Sequence, residues 1–227
     1  MSESIISTTP TPKFAPFQIH RASRYSRYDR DFLVGETTEG EFFTFDAWAK
    51  EKHQLIHGKV VRMPGSSPEH NVIQDDLGFE IKTALRMTGS PCDTISSDQK
   101  VYVTHQTIYY PDVIVFCGDP QFDHLNALRN PTVVVEILSP STEKDDRTDK
   151  FYDYQKIESL RHYILVEQER VSVVHYERLD AGPWAIVGTH NAFSDSLSLR
   201  LHGAEISVPL SGIYRRVFAP DTDTPEA

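Results

Sequence analysis

Two acidic residues stand in apolar surroundings, where a charge is costly. Glu136 interrupts the run "TVVVEIL", and Asp112 follows Pro111 directly and precedes the run "VIVF". Continuous runs of Val, Ile and Leu are typical of strands that are covered on both faces of an α/β sheet. A buried carboxylate costs several kcal/mol unless a proton, a cation or hydrogen-bond donors compensate it. We therefore take Asp112 and Glu136 as candidate functional residues.

The order of these two strands suggests that the carboxylates meet. If the strands are antiparallel neighbours, the start of the first lies beside the end of the second. Converging carboxylates repel each other, and they need a shared proton, a basic partner or a divalent cation. The segment "SPSTEKDDRTDK" after Glu136 supplies Lys144, Arg147 and Lys150 at the start of a helix. This set suits hydrolysis of phosphodiester bonds with Mg²⁺ or Mn²⁺, because the metal lowers the pKa of bound water while a lysine stabilises developing charge.

A purely structural interpretation competes with this one. Glu136 would then be half of a buried salt bridge to Lys150 or Arg147, as buried charges are usually paired. Asp112 would be a turn residue after proline, and Lys150 an exposed helix lysine in a charged segment. The metal-site hypothesis is favoured because it explains both acids together, with Asp112 and Glu136 as the metal ligands.

Three segments carry a wider likeness: "YYPDVIVF", "PTVVVEILSPST" and "KFYDYQKIESLRHYILVE". Together they resemble the putative restriction endonuclease family of uncharacterised bacterial proteins, in the PD-(D/E)XK nuclease superfamily. The resemblance extends from about Phe43 to Tyr214 and includes "SPEHN" on the first long helix. It implies a mixed central sheet flanked by helices, with Asp112 and Glu136 as the motif acids. It also makes His70 a neighbour of the site.

The sequence departs from the family pattern at two places. The superfamily motif has a lysine two positions after the acidic residue, where this chain has Leu138. The resemblance implies that the lysine lies on the next helix, as it does in relatives, which makes Lys150 the candidate. Where relatives often read "ELIDGE", this chain has "QLIHGK", so that Gln54, His57 and Lys59 replace acidic residues. If one of those acids assists metal binding, the site is weaker in this chain.

Composition limits the classes of protein that fit. The chain has 227 residues, of which 39% are hydrophobic and 25% are charged, as expected for one folded domain. Its formal net charge of -10 argues against a protein that coats DNA, because non-specific affinity comes largely from cations that meet phosphates. An enzyme that contacts a few phosphates locally and binds a divalent metal is still compatible with this charge.

The sequence shows no pattern of a membrane helix or a signal peptide, which predicts a cytoplasmic protein. No apolar segment approaches the roughly 20 residues that a membrane helix needs, and the N-terminus lacks the layout of a signal peptide. Cys92 and Cys117 lie in or beside predicted strands without metal-site spacing, so we expect reduced core thiols. The oligomeric state is left open, with a homodimer among the options.

The helix and strand patterns predict an α/β (α+β) fold with additional antiparallel strands. Thr44 is expected to cap a short helix through Lys50, and "QLIHGKVVRM" reads as a hairpin at His57-Gly58. Ser66 or Ser67, followed by Pro68 at the first helical position, precedes a long amphipathic helix that ends near Gly89. Further strands are predicted at "CDTISS", "QKVYVT", "YYPDVIVFC", "TVVVEIL", "HYILVE", "VSVVHYE" and "PWAIVGTH". A charged helix capped by Thr142 is expected between the fourth and fifth of these strands.

Three regions follow from these patterns. We expect a partly disordered N-terminal extension at residues 1–42 and an acidic tail at residues 218–227. Between them, the family resemblance implies a restriction endonuclease-like domain at residues 43–217. The extension contains Arg21, Arg24, Arg27 and Arg30 at three-residue spacing. We expect this arm to dock on its own acidic domain rather than to contact phosphates.

Three functional hypotheses result. The leading one is a metal-dependent nuclease with DNA as substrate, in which Asp112, Glu136, Lys150 and His70 form the site. The second is a non-catalytic interaction module that retains the nuclease fold, as the altered hairpin and the acidic charge would suit. A third is a small-ligand binder built on the later strands.

Overall fold

The computed structural model describes residues 19–20, 32–33, 37–123, 125–140, 142–180 and 182–218. Its strands are β1 (Ile19–His20), β2 (Phe32–Leu33), β3 (His53–Ile56), β4 (Lys59–Arg62), β5 (Cys92–Ser96), β6 (Lys100–Thr104), β7 (Thr107–Tyr109), β8 (Val113–Cys117), β9 (Ala127–Leu128), β10 (Pro131–Leu138), β11 (His162–Glu167), β12 (Val173–Arg178), β13 (Trp184–His190), β14 (Ser196–Leu201) and β15 (Ala204–Pro209). Its helices are α1 (Glu39–Asp46), α2 (Pro68–Thr88), α3 (Glu143–Arg147), α4 (Asp149–Tyr154) and α5 (Leu210–Tyr214). The predicted α+β class is therefore confirmed.

A six-stranded mixed sheet carries the centre of the fold. Its order is β13-β12-β11-β10-β8-β5, in which β10 and β11 are parallel and the other neighbours are antiparallel. A seven-stranded sheet has the order β1-β2-β4-β3-β7-β6-β9, and β14 pairs with β15 alone. Every residue of β10 is buried, as the apolar run predicts for a strand covered on both faces.

The two faces of the six-stranded sheet are covered differently. On one face, the stripe of Ile73, Leu77, Ile81 and Leu85 on α2 packs with the β14–β15 hairpin and α5. On the other face, the core joins α4 and the following turn to residues of the seven-stranded sheet, with Tyr154 at its centre. The four-residue spacing of the α2 stripe places these side chains on one side of the helix, which is why it lies flat on the sheet.

Local capping explains where the long helix begins and ends. Ser67 is the N-cap of α2, and its hydroxyl accepts a hydrogen bond from the His70 N–H. Pro68 occupies the first helical position, where its missing N–H costs nothing. Gly89 ends the helix in the left-handed conformation at a φ of 65°, which glycine adopts without strain. These three signals were all correctly predicted.

The expectation for Thr44 was wrong. The helix in this region is α1, and its N-cap is Thr38, whose hydroxyl accepts from the Glu41 N–H while the Glu41 carboxylate accepts from the Thr38 N–H. This reciprocal pair satisfies two amide groups that would otherwise lack partners at the helix start. Thr44 lies inside the helix and donates its hydroxyl hydrogen to the Gly40 carbonyl.

The helix predicted after Thr142 is divided into α3 and α4, which meet at Thr148. Thr142 is the N-cap of α3 by position, but its side chain makes no capping hydrogen bond. Its Oγ1 instead lies 3.0 Å from the Ser139 hydroxyl oxygen. Thr148 leaves helical geometry at φ -125° and ψ -89°, and this break turns α4 relative to α3.

The prediction of reduced thiols was also wrong, because Cys92 and Cys117 form a disulfide. The two residues face each other directly across the antiparallel pair β5–β8, so that the register brings their sulfur atoms together. The two cysteines are separated by 25 positions, and the sequence alone gave no indication of this register. The disulfide closes the end of the sheet that lies under the C-terminal part of α2.

Several other predictions fall on the ends of the chain. The arm that contains Arg21, Arg24, Arg27 and Arg30 lies outside the described residues, as do residues 219–227 of the acidic tail, so both interpretations stay predictions.

The β14–β15 hairpin and α5 were missed by the sequence patterns. Among the described residues, no helix combines the length and the apolar character needed to cross a bilayer.

Candidate active site

The antiparallel pairing of β8 and β10 brings Asp112 and Glu136 to the same end of the sheet. Val113 lies opposite Val135, so Asp112, just before β8, falls beside the Glu136–Ile137 segment. The Asp112 Oδ2 atom accepts a hydrogen bond of 2.7 Å from the Ile137 N–H. This bond ties the first acid to the strand that carries the second.

Two residues of α2 position Asp112 from the other side. His70 Nε2 lies 3.3 Å from Asp112 Oδ2. Gln74 donates from Nε2 to the Asp112 backbone carbonyl at 2.7 Å. The His70 side chain is only 9% exposed, and its Nδ1 atom is buried without a hydrogen-bond partner among the described residues. His70 is therefore a contact of the predicted metal ligand, and its own hydrogen bonding is incomplete.

Glu136 is 3% exposed and is held by α4. Tyr154 donates its hydroxyl hydrogen to Glu136 Oε1 at 2.9 Å, and Lys150 Nζ lies 3.2 Å from the same oxygen. The pKa of Glu136 is raised to about 8: burial is the main cause, Asp146 and Asp112 add to it, and the Lys150 charge and the Tyr154 hydrogen bond oppose it. At neutral pH the metal-free protein therefore favours a protonated Glu136.

Asp146 is the residue that the sequence interpretation missed. It is 1% exposed, and its Oδ1 lies 2.8 Å from Lys150 Nζ in an ion pair outside hydrogen-bond geometry. Burial disfavours the charge on Lys150, but Asp146 and Glu136 outweigh it, so the pKa of Lys150 is raised and the ammonium stays charged. The four-residue spacing of Asp146 and Lys150 across the α3–α4 break was the available signal for this pair.

Arg147, the alternative partner for Glu136, lies elsewhere. Its guanidinium pairs with Glu143 and with Glu167. The salt-bridge interpretation is thus correct that Lys150 contacts Glu136 in the metal-free protein. It does not account for Asp146, which already pairs with the lysine and leaves the second acid unnecessary for that purpose.

All four predicted site residues line one cavity of about 260 Å³. The set consists of Asp112, Glu136, Lys150 and His70, and Gln54 and Asp146 join it. Gln54 is 4% exposed, and its Oε1 is buried without a hydrogen-bond partner among the described residues. Asp112 also lines an adjoining cavity of about 370 Å³ with Lys52 and Arg62 at its walls.

The three hairpin residues that depart from the family pattern lie in different environments. Gln54 faces the cavity, whereas Lys59 is exposed. His57 points to Asp153, with 3.0 Å between Nε2 and Oδ2. Asp153 is held in addition by Tyr109 and Lys156. Of the three replacements, only that of Gln54 alters the donor set around the cavity.

The donor set fits a hard divalent cation. Carboxylate and amide oxygens are the ligands that Mg²⁺ prefers, and Asp112, Glu136 and Gln54 offer them in one cavity. The unpartnered Gln54 oxygen is the observation that favours this fit, since buried polar atoms in folded proteins normally have partners. A cation would also remove the electrostatic reason for the raised pKa of Glu136.

The sheet order, the flanking helices and the acid pair at the strand ends define a restriction endonuclease-like fold. A crystal structure of a putative nuclease belonging to DUF820 from Anabaena variabilis has the same fold, with a TM-score of 0.60 over 78% of this chain and 97% of that chain. The sequence identity to it is 15%, so this likeness concerns the fold.

Residues 41–211 match the family model Uma2, described as "Putative restriction endonuclease", and the chain belongs to this family. Two uncharacterized proteins of Synechocystis sp. are similar to it. The protein slr1290 is 33% identical over 176 residues, which are 77% of this chain and 90% of the relative. The protein sll1609 is 28% identical over 152 residues, which are 66% of this chain and 85% of the relative. The resemblance inferred from the sequence is thus confirmed.

Proposed function

We propose that the chain is a metal-dependent nuclease that hydrolyses phosphodiester bonds in DNA. The observation that carries this proposal is the convergence of Asp112, Glu136 and Lys150 on one cavity, from β8, β10 and α4. Family membership supports the broader assignment to nucleases. Buried acids with a lysine are costly for the fold, and such costs are typical of functional sites.

Asp112, Glu136 and the Gln54 oxygen would hold Mg²⁺ or Mn²⁺. Bound there, the cation would supply Lewis-acid chemistry and a water of lowered pKa for attack on phosphorus. Asp112 keeps its orientation through the Ile137 N–H and His70, so it presents its carboxylate without rearrangement. Glu136 must lose its proton when the ligand set is completed, since only the carboxylate is a good ligand.

Lys150 has the second chemical role. Asp146 fixes its ammonium at the cavity wall and keeps it charged. From there it stabilises the negative charge that develops on the phosphate oxygens, or orients the attacking water. His70 acts as a positioning residue, because it contacts the Asp112 carboxylate and lies in the first turn of α2.

The surrounding surface suits a polymer better than a small molecule. Asp112 lies where the 260 Å³ cavity adjoins the 370 Å³ cavity, and the two share the segment from Met63 to Ser66. Lys52 and Arg62 on the second cavity are half-exposed and pair with Asp98 and Glu51, and a backbone phosphate would have to compete with these carboxylates for them. Local cations of this kind reconcile phosphate contact with a net charge of -10.

A non-catalytic interaction module is the second candidate. The neutral Gln54 at a position where relatives often carry an acid favours it, because one fewer carboxylate weakens metal binding.

Placement in the cytoplasm and a homodimer stay predictions from the sequence. The disulfide Cys92–Cys117 is uncommon in reducing compartments, so it gives the cytoplasmic placement no support.

The test is cleavage of supercoiled, linear and single-stranded DNA in Mg²⁺ or Mn²⁺, with and without chelator. We expect metal-dependent nicking by the parent and a loss of about 100-fold or more for Asp112→Asn, as when a principal electrostatic group is removed. The matched control is Asp119→Asn, an exposed aspartate in the turn that follows β8. Equal nicking by parent and Asp112→Asn, or no nicking under any of these conditions, would favour the interaction module.

A further inference from the structure

A second cluster of potential metal ligands lies away from the candidate active site. It consists of His162 on β11 and of His175 and Glu177 on β12, and their ligand atoms all lie within 4.8 Å of one another. His162 is opposite Glu177 in the antiparallel register, and His175 is two residues before Glu177. Because side chains two apart on a strand point the same way, all three project from one face of the sheet.

The hydrogen bonds of His162 define its tautomer. Its Nε2 lies 2.9 Å from the Arg200 backbone carbonyl, which only accepts, so Nε2 carries the hydrogen. Its Nδ1 therefore has a free lone pair, which now accepts from His175 Nε2 at 2.9 Å. Metal-binding histidines are commonly oriented in this way, with the distal N–H donated to a backbone carbonyl.

The 2.9 Å contact between His162 Nδ1 and His175 Nε2 requires that one of these two nitrogens carries no hydrogen. Burial lowers the pKa of His162, and burial together with the neighbouring histidines lowers the pKa of His175 to about 3. Both rings are thus neutral at pH 7. A change of tautomer at His175 moves its hydrogen to Nδ1 and frees Nε2, so that both nitrogens can bind one ion. Because a zinc–nitrogen bond is about 2.0 to 2.1 Å long, the two rings must then move apart by a few tenths of an ångström from their 2.9 Å contact.

The third ligand and an access route are also present. The Glu177 Oε1 atom accepts from Arg200 Nη2 at 2.7 Å. The Arg200 side chain is 69% exposed, so it is free to move away when a cation arrives. His162, Glu177 and His202 line a cavity of about 520 Å³ that opens beside this ion pair. The cavity gives an ion a path from solvent and leaves room for a fourth ligand.

We propose that His162, His175 and Glu177 bind a divalent transition-metal ion, with Zn²⁺ as the best fit. Two imidazoles and one carboxylate are a common zinc ligand set with an open fourth position, and imidazole nitrogens select Zn²⁺ over the hard cation Mg²⁺. The bound ion links β11 to β12, and through the Arg200 carbonyl it fastens the β14–β15 hairpin to the sheet. This site does not depend on the nuclease proposal.

The decisive experiment compares two variants on opposite sides of the Glu177–Arg200 ion pair. Zn²⁺ is titrated calorimetrically into the untagged full chain that carries Glu136→Gln, so that the candidate active site does not contribute a second binding event. We expect one Zn²⁺ per chain. Glu177→Gln should weaken binding about 10- to 100-fold, whereas Arg200→Ala should leave it equal or tighter because it releases Glu177.

Glu205→Gln is the control, since Glu205 is an exposed carboxylate of β15 near Arg200 but outside the cluster. Circular dichroism and melting without metal check that each variant folds. Co²⁺ provides an independent signature, because ligation by His162 and His175 gives visible absorption that His175→Gln should abolish. The proposal is overturned if the chain binds no Zn²⁺, or if Glu177→Gln and Glu205→Gln bind it as tightly as each other.

Discussion

Two polar clusters lie on opposite faces of the six-stranded sheet, and the parallel pair β10–β11 carries one residue of each, Glu136 and His162. Glu136 on β10 is level with Leu165 on β11, and both contribute to the face that meets α4. His162 lies three residues before Leu165, so it projects from the other face and about 10 Å nearer the strand starts. The acid cluster and the histidine cluster thus belong to the same sheet but line different cavities.

The comparison shows how one physical cause has opposite effects on titration. Burial disfavours the charged form, so it raises the pKa of Glu136 to about 8 and lowers the pKa of His175 to about 3. Both groups are then neutral near pH 7 without metal. The ligand atoms differ, because hard oxygens suit Mg²⁺ and imidazole nitrogens suit Zn²⁺.

Loss of the Lys150 ammonium should have the largest effect. Lys150→Met is expected to lower the cleavage rate by about 100- to 1000-fold, because no other buried cation faces Glu136 in the described chain. The matched control is Lys144→Met, which removes an exposed lysine of α3. Rates are measured under single-turnover conditions in saturating Mg²⁺.

The variant also leaves Asp146 without its ion-pair partner, so its melting temperature must be recorded beside the rate. If Lys150→Met is unstable, Lys150→Arg keeps the charge but changes the geometry and should still cleave slowly. Parent-like cleavage by folded Lys150→Met would remove Lys150 from the proposed chemistry and leave it a structural partner of Asp146.

Glu136→Gln should change how the stability of the fold depends on pH. The ordinary pKa of 4.5 is raised to about 8, so the folded state holds a proton that the unfolded state loses first. The stability present below pH 4.5 is therefore lost as pH rises toward 8, at up to about 1.4 kcal/mol per pH unit. Glu136→Gln has no such proton, and it should gain stability over the parent as pH rises.

Chemical denaturation in chelator at several pH values between 5 and 8 measures this gain, with Glu158→Gln as the exposed control. We expect the difference between variant and parent to reach a few kcal/mol at pH 8. Mg²⁺ should stabilise the parent and not the variant, because binding to the folded state alone shifts the unfolding equilibrium. A variant that is less stable at every pH would show that Glu136 is a salt-bridge residue.

The sequence predicted correctly those features of the fold that depend on residues close together along the chain. Ser67, Pro68 and Gly89 mark α2 through contacts within a few residues, and the apolar run of β10 reports its own burial. The approach of Asp112 to Glu136 followed from chain order once β8 and β10 were taken as antiparallel. The same pattern gave no information about Cys92 and Cys117, because their pairing depends on the register of β5.

The histidine cluster shows where sequence patterns stop being informative. His162, His175 and Glu177 have no conventional ligand spacing, and only the register of β11 and β12 brings them together. Asp146 was likewise hidden in a charged segment that looks like an exposed helix face. Asp146 is buried close to the helix break at Thr148, and no local propensity in the sequence indicates this break.

His175→Gln should have the opposite pH trend to Glu136→Gln and a smaller size. The ordinary pKa of 6.5 is lowered to about 3, so the unfolded state takes up a proton that the folded state refuses. The parent therefore loses stability as pH falls below 6.5, by up to about 2 kcal/mol at pH 5. His175→Gln lacks this titration and should recover part of the loss, as measured by denaturation in chelator.

His105→Gln is the control, since His105 is exposed in the turn between β6 and β7. If His175→Gln and His105→Gln have the same pH profile, the imidazole pair does not titrate as its burial requires. Parallel trends in Glu136→Gln and His175→Gln would contradict the comparison of the two faces.

The smallest expected effect concerns Gln54, which distinguishes this acid cluster from that of family members with an acid in the hairpin. Gln54→Glu should raise Mg²⁺ affinity by about tenfold, as a carboxylate replaces a neutral amide oxygen among hard ligands. It should also lower stability in chelator, because a further buried carboxylate near Glu136 repels it. Gln54→Leu should weaken Mg²⁺ binding without that loss of stability. Melting temperatures over a range of Mg²⁺ concentrations measure both changes, and Zn²⁺ binding at His162 should be unaffected in either variant. If both variants respond to Mg²⁺ as the parent does, Gln54 does not contact the cation, and its buried oxygen has another partner. If Zn²⁺ binding changes in the Gln54 variants, the two faces of the sheet are coupled and the two clusters are not independent.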